Sequence, residues 1–150
     1  MTSHLKILVG EQSAAQTRTL GTIGYIAPEY GLDGHVSTAS DVYSFGILLH
    51  ETITGKKSTD SMFKEYLRLH EWIKRPYPDA TNDVLDPILR DEVGLKKEDS
   101  SSHIIGQLVV KIFNVGLQCL KQSPDERTDM KDVVVNLKKI NAELIADHAT

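Results

Sequence analysis

Apolar residues are densest between positions 42 and 53, where Val42, Tyr43, Phe45, Ile47, Leu48, Leu49 and Ile53 leave almost no polar face. A helix that is apolar most of the way round belongs inside a protein, not on its surface. Start and stop signals flank the stretch. Thr38 and Asp41 predict a capping box with Asp in the Glu position, so that Asp41 opens a helix over 41–54. Gly55 predicts its end, and Lys56 and Lys57 put positive charge where the helix dipole favours it. The chain is expected to be built around this buried helix.

The remaining pattern is also helical. Ser58 to Ser61 reads as a polar hinge, followed by a short helix through Leu67, Leu69, Trp72 and Ile73 that Pro76 and Pro78 interrupt. Trp72 is expected in or beside the core. Residues 91–103 are charged and serine-rich and predict a surface loop. Ile105, Leu108, Val109, Ile112, Phe113, Gly116, Leu117 and Leu120 then recur at helical spacing. A last helix is predicted from about Thr128, with Met130, Val133, Val134, Leu137, Ile140 and Leu144 on one core-facing stripe. At the front, Leu5 to Val9 is a short β-like run, and Gly10 to Thr19 has no apolar period and reads as a loop. The predicted fold class is all-α: four or five helices round the 41–54 helix, with an irregular N-terminal loop.

Bulk properties narrow the function classes. The 150 residues carry 40% hydrophobic and 25% charged positions, enough for one domain with a real core. A net charge of −4 argues against a nucleic-acid partner, which would need clustered Lys and Arg. The doublets Lys56-Lys57, Lys96-Lys97 and Lys138-Lys139 read as solvated helix ends. Cys119 is the single cysteine, so no internal disulfide forms, and its apolar neighbours predict a buried, inert thiol. No apolar run approaches the ~20 residues of a membrane span. The chain as given is expected to be cytoplasmic in character.

Two motifs carry a family resemblance. Gly21-Thr22-Ile23-Gly24-Tyr25-Ile26-Ala27-Pro28-Glu29-Tyr30-Gly31 and Ser40-Asp41-Val42-Tyr43-Ser44-Phe45-Gly46, in this order and separation, resemble the end of the activation segment and the central helix of protein kinases. They look most like plant receptor-like serine/threonine kinases of the leucine-rich-repeat type. The resemblance runs from about Lys6 to Leu144 and implies a partial kinase domain, with activation segment 5–31 and C-terminal helical lobe 32–146. It implies Thr17 and Thr19 as phosphorylation candidates, with Ser13 a weaker one. Thr22 is a third candidate and, with Gly24 and Tyr25, belongs to the substrate-facing loop. Glu29, a carboxylate in an apolar neighbourhood, needs a partner, and the family supplies Arg127. Asp41 matches an aspartate that anchors the catalytic loop.

That catalytic loop is not in the sequence. Phosphoryl transfer needs a glycine-rich loop, a phosphate-holding lysine, a catalytic aspartate, and Asp and Asn for magnesium. The sequence has no G-x-G pair, no P-loop and no H-R-D, and Phe45-Gly46 follows Ser44 inside the central helix. Where the resemblance would put D-F-G, positions 1 to 3 read Met1-Thr2-Ser3. Asp41 is then left with a helix-capping role, and the central helix is expected to expose apolar surface. The six histidines show no H-E-x-x-H or H-x-x-x-H pairing, and His50-Glu51, on the buried helix, reads as a satisfied helix residue and not a ligand. No catalytic or metal-binding residue is therefore assigned, and no cofactor, although the family uses ATP and magnesium. The partners implied are a protein substrate or kinase partners. The family parent would lie at the cytoplasmic side of the plasma membrane. A non-catalytic interaction module, or a phosphorylation substrate, is the alternative.

Overall fold

The computed structural model describes residues 25–29, 37–63, 68–92 and 100–149. Within them five α-helices follow one another: α1 (Thr38–Thr54), α2 (Leu69–Lys74), α3 (Pro87–Glu92), α4 (Ser100–Cys119) and α5 (Met130–Ala149). Short 3-10 turns at Ser61–Phe63 and Thr81–Asp83 link the smaller helices, and no strand occurs among the described residues. The all-α expectation holds. The β-like run at Leu5 to Val9 lies outside the described residues.

Helix α1 organises the core. Val42 packs with Leu108, Val115, Cys119, Val133 and Ile140, while Tyr43 and Ile47 pack with Ala27 and Leu120. One residue from its end, Ile53 joins Phe63, Leu69, Ile73, Val84, Leu85 and Phe113. Thus one helix supplies a side chain to every apolar cluster, and α4 lies against it with α5 stacked on α4. Trp72 is half-buried, its ring 5.7 Å from that of Phe63.

The start of α1 differs from the capping box expected at Thr38 and Asp41. Ser37 is the N-cap: its hydroxyl accepts from the Ser40 backbone N–H at 3.2 Å, and Ser40 Oγ accepts from the Ser37 N–H at 2.9 Å. Two overlapping S/T-x-x-polar patterns compete here. Ser37 wins because its extended backbone (φ −133°, ψ 169°) is the cap conformation, which leaves Thr38 inside the first turn. Asp41 is consequently not the capping partner, although its charge still sits at the positive end of the helix dipole. At the other end Gly55 is left-handed (φ 71°), its N–H donating to the Glu51 carbonyl at 2.9 Å, as Gly55 predicted. The Ile53 carbonyl, otherwise orphaned there, accepts from Asp86 N–H at 2.8 Å. Asp86 also starts α3: its carboxylate accepts from Ile88 N–H at 3.0 Å, with Pro87 at the first helical position.

Further expectations need correcting. α4 begins at Ser100, inside the predicted 91–103 loop, because the apolar face at Ile105, Leu108 and Val109 is docked and serines are tolerated in a first turn. On α5, Val133 and Ile140 are buried but Met130 and Val134 are exposed, so the core stripe is narrower than the sequence pattern. Lys138 and Lys139 are exposed in mid-helix, not at an end, and Lys96-Lys97 falls outside the described residues. On α1, Phe45, Leu48 and Leu49 are half-buried, not openly exposed, since Phe45 and Leu49 pack against the α4–α5 cluster.

The α1–α4 crossing is close. A Cβ on Gly46 would lie 2.6 Å from the Cβ of Cys119, whose thiol is fully buried and pushed up to about 11 by that burial. One turn on, His50 is 0% exposed, its ring tilted against Phe113. Its Nε2 is 3.1 Å from the Phe113 carbonyl oxygen, which can only accept, so Nε2 carries the proton. Nδ1 is buried and has no hydrogen-bond partner among the described residues. Burial holds the imidazole down at about 4 from 6.5, and His70, also buried, is shifted in the same direction. Because the folded pKa lies below the unfolded one, the unfolded chain binds the extra proton between these values. His50's contribution is therefore complete above pH 6.5 and is lost as pH falls towards 4, to the extent of about 3 kcal/mol. Urea unfolding across pH 4–7 is expected to show this slope, and His50→Leu is expected to leave only what His70 and the carboxylates contribute.

Candidate functional site

Residues 25–29 are laid along α1 and fixed at both ends. At the C-terminal end, the Glu29 carboxylate receives both arms of the Arg127 guanidinium: Nη1 to Oε2 at 2.7 Å and Nη2 to Oε1 at 3.0 Å. The Arg127 side chain is 0% exposed and that of Glu29 18%, so the pair is held away from water. Arg127 spends its other N–H groups on backbone: Nε and Nη2 donate to the Lys121 carbonyl at 3.0 and 2.8 Å, and Nη1 to Ala39 at 2.8 Å. A fork of donors matched to carboxylate and carbonyls is the arrangement that only arginine supplies. The guanidinium carbon also stands 5.2 Å above the Tyr43 ring. Hydrogen bonding to Arg127 lowers the pKa of Glu29 against the opposing effect of burial.

Arg127 reaches this position because Pro124 and its neighbours break the chain after α4. Turns close from Glu126 N–H to Ser123 and from Arg127 N–H to Pro124, and the Asp129 carboxylate then caps α5 through Asp132 N–H at 2.8 Å. The guanidinium therefore ties together the 25–29 segment, the start of α1 and the α4–α5 turn.

At the other end, the Tyr25 hydroxyl donates into the Glu51 carboxylate, 2.8 and 2.7 Å from its two oxygens. Glu51 is buried on α1 and also accepts from Ser58 N–H at 2.7 Å. Burial first, and then the bond to Glu51, push the Tyr25 phenol up to about 12. At the same end Ser44 Oγ donates to the Tyr25 carbonyl at 2.7 Å, and Ala27 in mid-segment is buried with Tyr43, Ile47 and Leu120. The loop is thus docked by an ion pair, a phenol–carboxylate bond and a serine, all reaching it from the helical lobe.

Of the residues singled out from sequence, the structure brings together Glu29, Arg127 and Tyr25 around α1. Asp41 lies in the first turn of the same helix. Thr17, Thr19, Thr22, Gly24 and Ser13 lie outside the described residues. One anchor, Ser44, carries no signal in the sequence, and Glu51 reads from sequence only as a satisfied helix residue. A carboxylate inside so apolar a helix was the available signal, since such a group requires a partner. Among the described residues no three His, Cys, Asp or Glu side chains are placed to hold a metal ion. No helix among them is long and apolar enough to cross a membrane.

Residues 5–137 match the family described as protein tyrosine and serine/threonine kinase, and the chain belongs to that family. It is 35% identical over 126 residues to a leucine-rich repeat receptor-like serine/threonine-protein kinase of Arabidopsis thaliana, covering 84% of this chain and 13% of that protein. It is 36% identical over 137 residues to the receptor kinase-like protein Xa21 of Oryza sativa subsp. japonica, covering 89% of this chain and 13% of that one. The chain therefore spans about an eighth of the length of these relatives. Among solved structures, the pseudokinase domain of BIR2, an immune regulator of the RLK/Pelle family, matches with a TM-score of 0.60 at 25% identity, over 80% of this chain and 33% of that one.

Proposed function

We propose that this chain is the substrate-presenting part of a receptor-like serine/threonine kinase helical lobe, which holds the loop facing a protein substrate. The double anchoring of residues 25–29, by Arg127 on Glu29 and by Glu51 on Tyr25, carries this reading. A loop that must meet a polypeptide in one register gains from being fixed before the partner arrives. By the family pattern Gly24 and Thr22 are assigned to the same substrate-facing loop, and Thr17 and Thr19 to regulatory phosphorylation. In the whole kinase the reaction is ATP- and magnesium-dependent phosphorylation of protein serine or threonine at the cytoplasmic face of the plasma membrane.

The 150 residues contain no phosphate-cradling loop, no phosphate-holding lysine motif and no catalytic H-R-D. By itself the polypeptide is therefore inactive. The purified chain is expected to show no thermal shift with MgATP and to incorporate no phosphate into itself or a general protein substrate. A nucleotide-dependent shift or transfer would overturn this. A non-catalytic role in binding kinase partners is the second reading, favoured by the likeness to a solved pseudokinase domain. A monodisperse, cooperatively unfolding chain would support that role, and aggregation on purification would count against it.

A further inference from the structure

We propose that the outward side of α5 rests on an anionic phospholipid bilayer, its exposed aliphatic side chains dipping into the interface and its lysines meeting the headgroup phosphates. This surface is separate from the anchored loop and does not depend on the reading given above.

Residue types are segregated round this helix. At ~100° per residue, Val134, Ile145, Lys138, Lys131, Ala142 and Val135 follow one another round an arc of about 100°. All six are exposed. Val134 and Val135 are 43% and 42% exposed and Ile145 60%, a large apolar outlay for residues that take no part in the core. The core side, with Val133 and Ile140, lies across the helix, so none of the six is needed to hold α5 on α4. Acids avoid the arc. Asp132, Glu143 and Asp147 fall on the flank between it and the core, and Glu143 is paired with Lys111 at 3.0 Å. Lys139 stands at the boundary. The arc therefore holds Lys131 and Lys138 with no negative charge, in a chain whose net charge is −4.

Shape and charge select the occupant. Val134 and Ile145 are about 16 Å apart along the axis, on a convex ridge, while the α4–α5 cleft opens on the other flank at Asn136 and Glu143. A folded partner would have to match that ridge with a groove of its own, whereas a fluid interface takes up separated side chains one by one. Lysines set among the aliphatics suit the same surface, since their stems lie in the apolar layer while the ammonium groups stay at phosphate level. The acids of the preceding turn, Asp125, Glu126 and Asp129, stand before the helix, at the end away from Ile145. Asp129 is turned back onto α5, accepting from Asp132 N–H at 2.8 Å.

The test is flotation of the full 150-residue chain with vesicles of phosphatidylcholine, alone or carrying about 30% phosphatidylserine. The chain is expected to float only with the anionic vesicles and to be released at about 0.5 M NaCl. Lys131→Gln and Lys138→Gln are each expected to lower the partition coefficient about fivefold, the factor for one lysine leaving an anionic surface. Ile145→Ser is expected to lower it about tenfold through lost apolar burial. Lys74→Gln, an exposed lysine on α2, should leave it unchanged. Insertion is read with a polarity-sensitive dye on Val135→Cys and on Asn136→Cys, Cys119 being 0% exposed and unreactive. Emission should shift to the blue with anionic vesicles at position 135 and not at 136. Equal flotation with neutral vesicles, or none with anionic ones, would overturn the proposal. So would a loss with Lys74→Gln as large as with Lys138→Gln, or equal dye shifts at the two positions. A chain that stays off the vesicles but forms a dimer abolished by Ile145→Ser would also overturn it, giving the face to a second copy.

Discussion

Arg127→Ala is expected to lower the unfolding free energy by about 3–5 kcal/mol, the range for removing one partner of a buried ion pair. Its large size follows from what the substitution leaves behind. The Glu29 carboxylate, with a side chain only 18% exposed, loses both guanidinium bonds, and the carbonyls of Lys121 and Ala39 lose theirs in the same step. Arg127→Lys should recover little, because one ammonium cannot reach the carboxylate and two carbonyls as the planar fork does. Glu29→Gln should cost less, about 1–2 kcal/mol, since the amide keeps the shape and one acceptor for a hydrogen bond to a charged donor. Urea denaturation of the two single variants and the double variant closes a cycle whose coupling is expected to exceed ~1 kcal/mol. A cost for Arg127→Ala below ~1 kcal/mol, independent of Glu29, would show that the pair does not hold the loop. Functionally the same change should free residues 25–29 from α1, seen as faster amide exchange at Tyr25 and Ala27 than in α1 itself.

Gly116→Ala is the second large effect, expected to cost about 2–3 kcal/mol as overpacking in a fixed core. A Cβ there would enter the van der Waals envelope of the His50 imidazole at Nε2 and Cδ2, and would lie 3.0 Å from Cε1. The ring cannot swing aside, because it is fully buried, packed on Phe113 and bonded to that residue's carbonyl. Alanine's better helix propensity offsets about 1 kcal/mol of the strain. His50→Ala removes the obstructing ring, so the double variant is expected to be more stable than the sum of the single costs by about 1–2 kcal/mol. Additive costs would mean that the two helices separate without contest between these residues.

The sequence alone carried the fold class and its centre. Val42 to Ile53 are too uniformly apolar for a surface helix, Gly55 supplies the one left-handed residue at its end, and the spacing of Ile105 to Leu120 fixes a second long helix. These signals are local and survive without knowledge of neighbours. The Glu29–Arg127 pair was legible for another reason: a lone carboxylate in apolar surroundings demands a cation, and the family pattern says which. The cap on α1 lies one residue before the one the pattern predicts, because Ser37 and Thr38 both begin acceptable patterns and only the backbone conformation separates them.

Tertiary structure decided the rest. Ser44 and Glu51 become loop anchors only when residues 25–29 are folded back along α1, across sequence separations that no periodicity encodes. Met130 and Val134 share the apolar stripe of α5 yet stay exposed, because α4 covers only the side holding Val133 and Ile140. The glycines at 46 and 116 look like ordinary helix residues until the crossing of α1 and α4 brings Cys119 and His50 against them. Local pattern fixes which segments are helices and which face is apolar. Close approach between segments distant in the chain fixes which polar groups are paired, and therefore where the site lies.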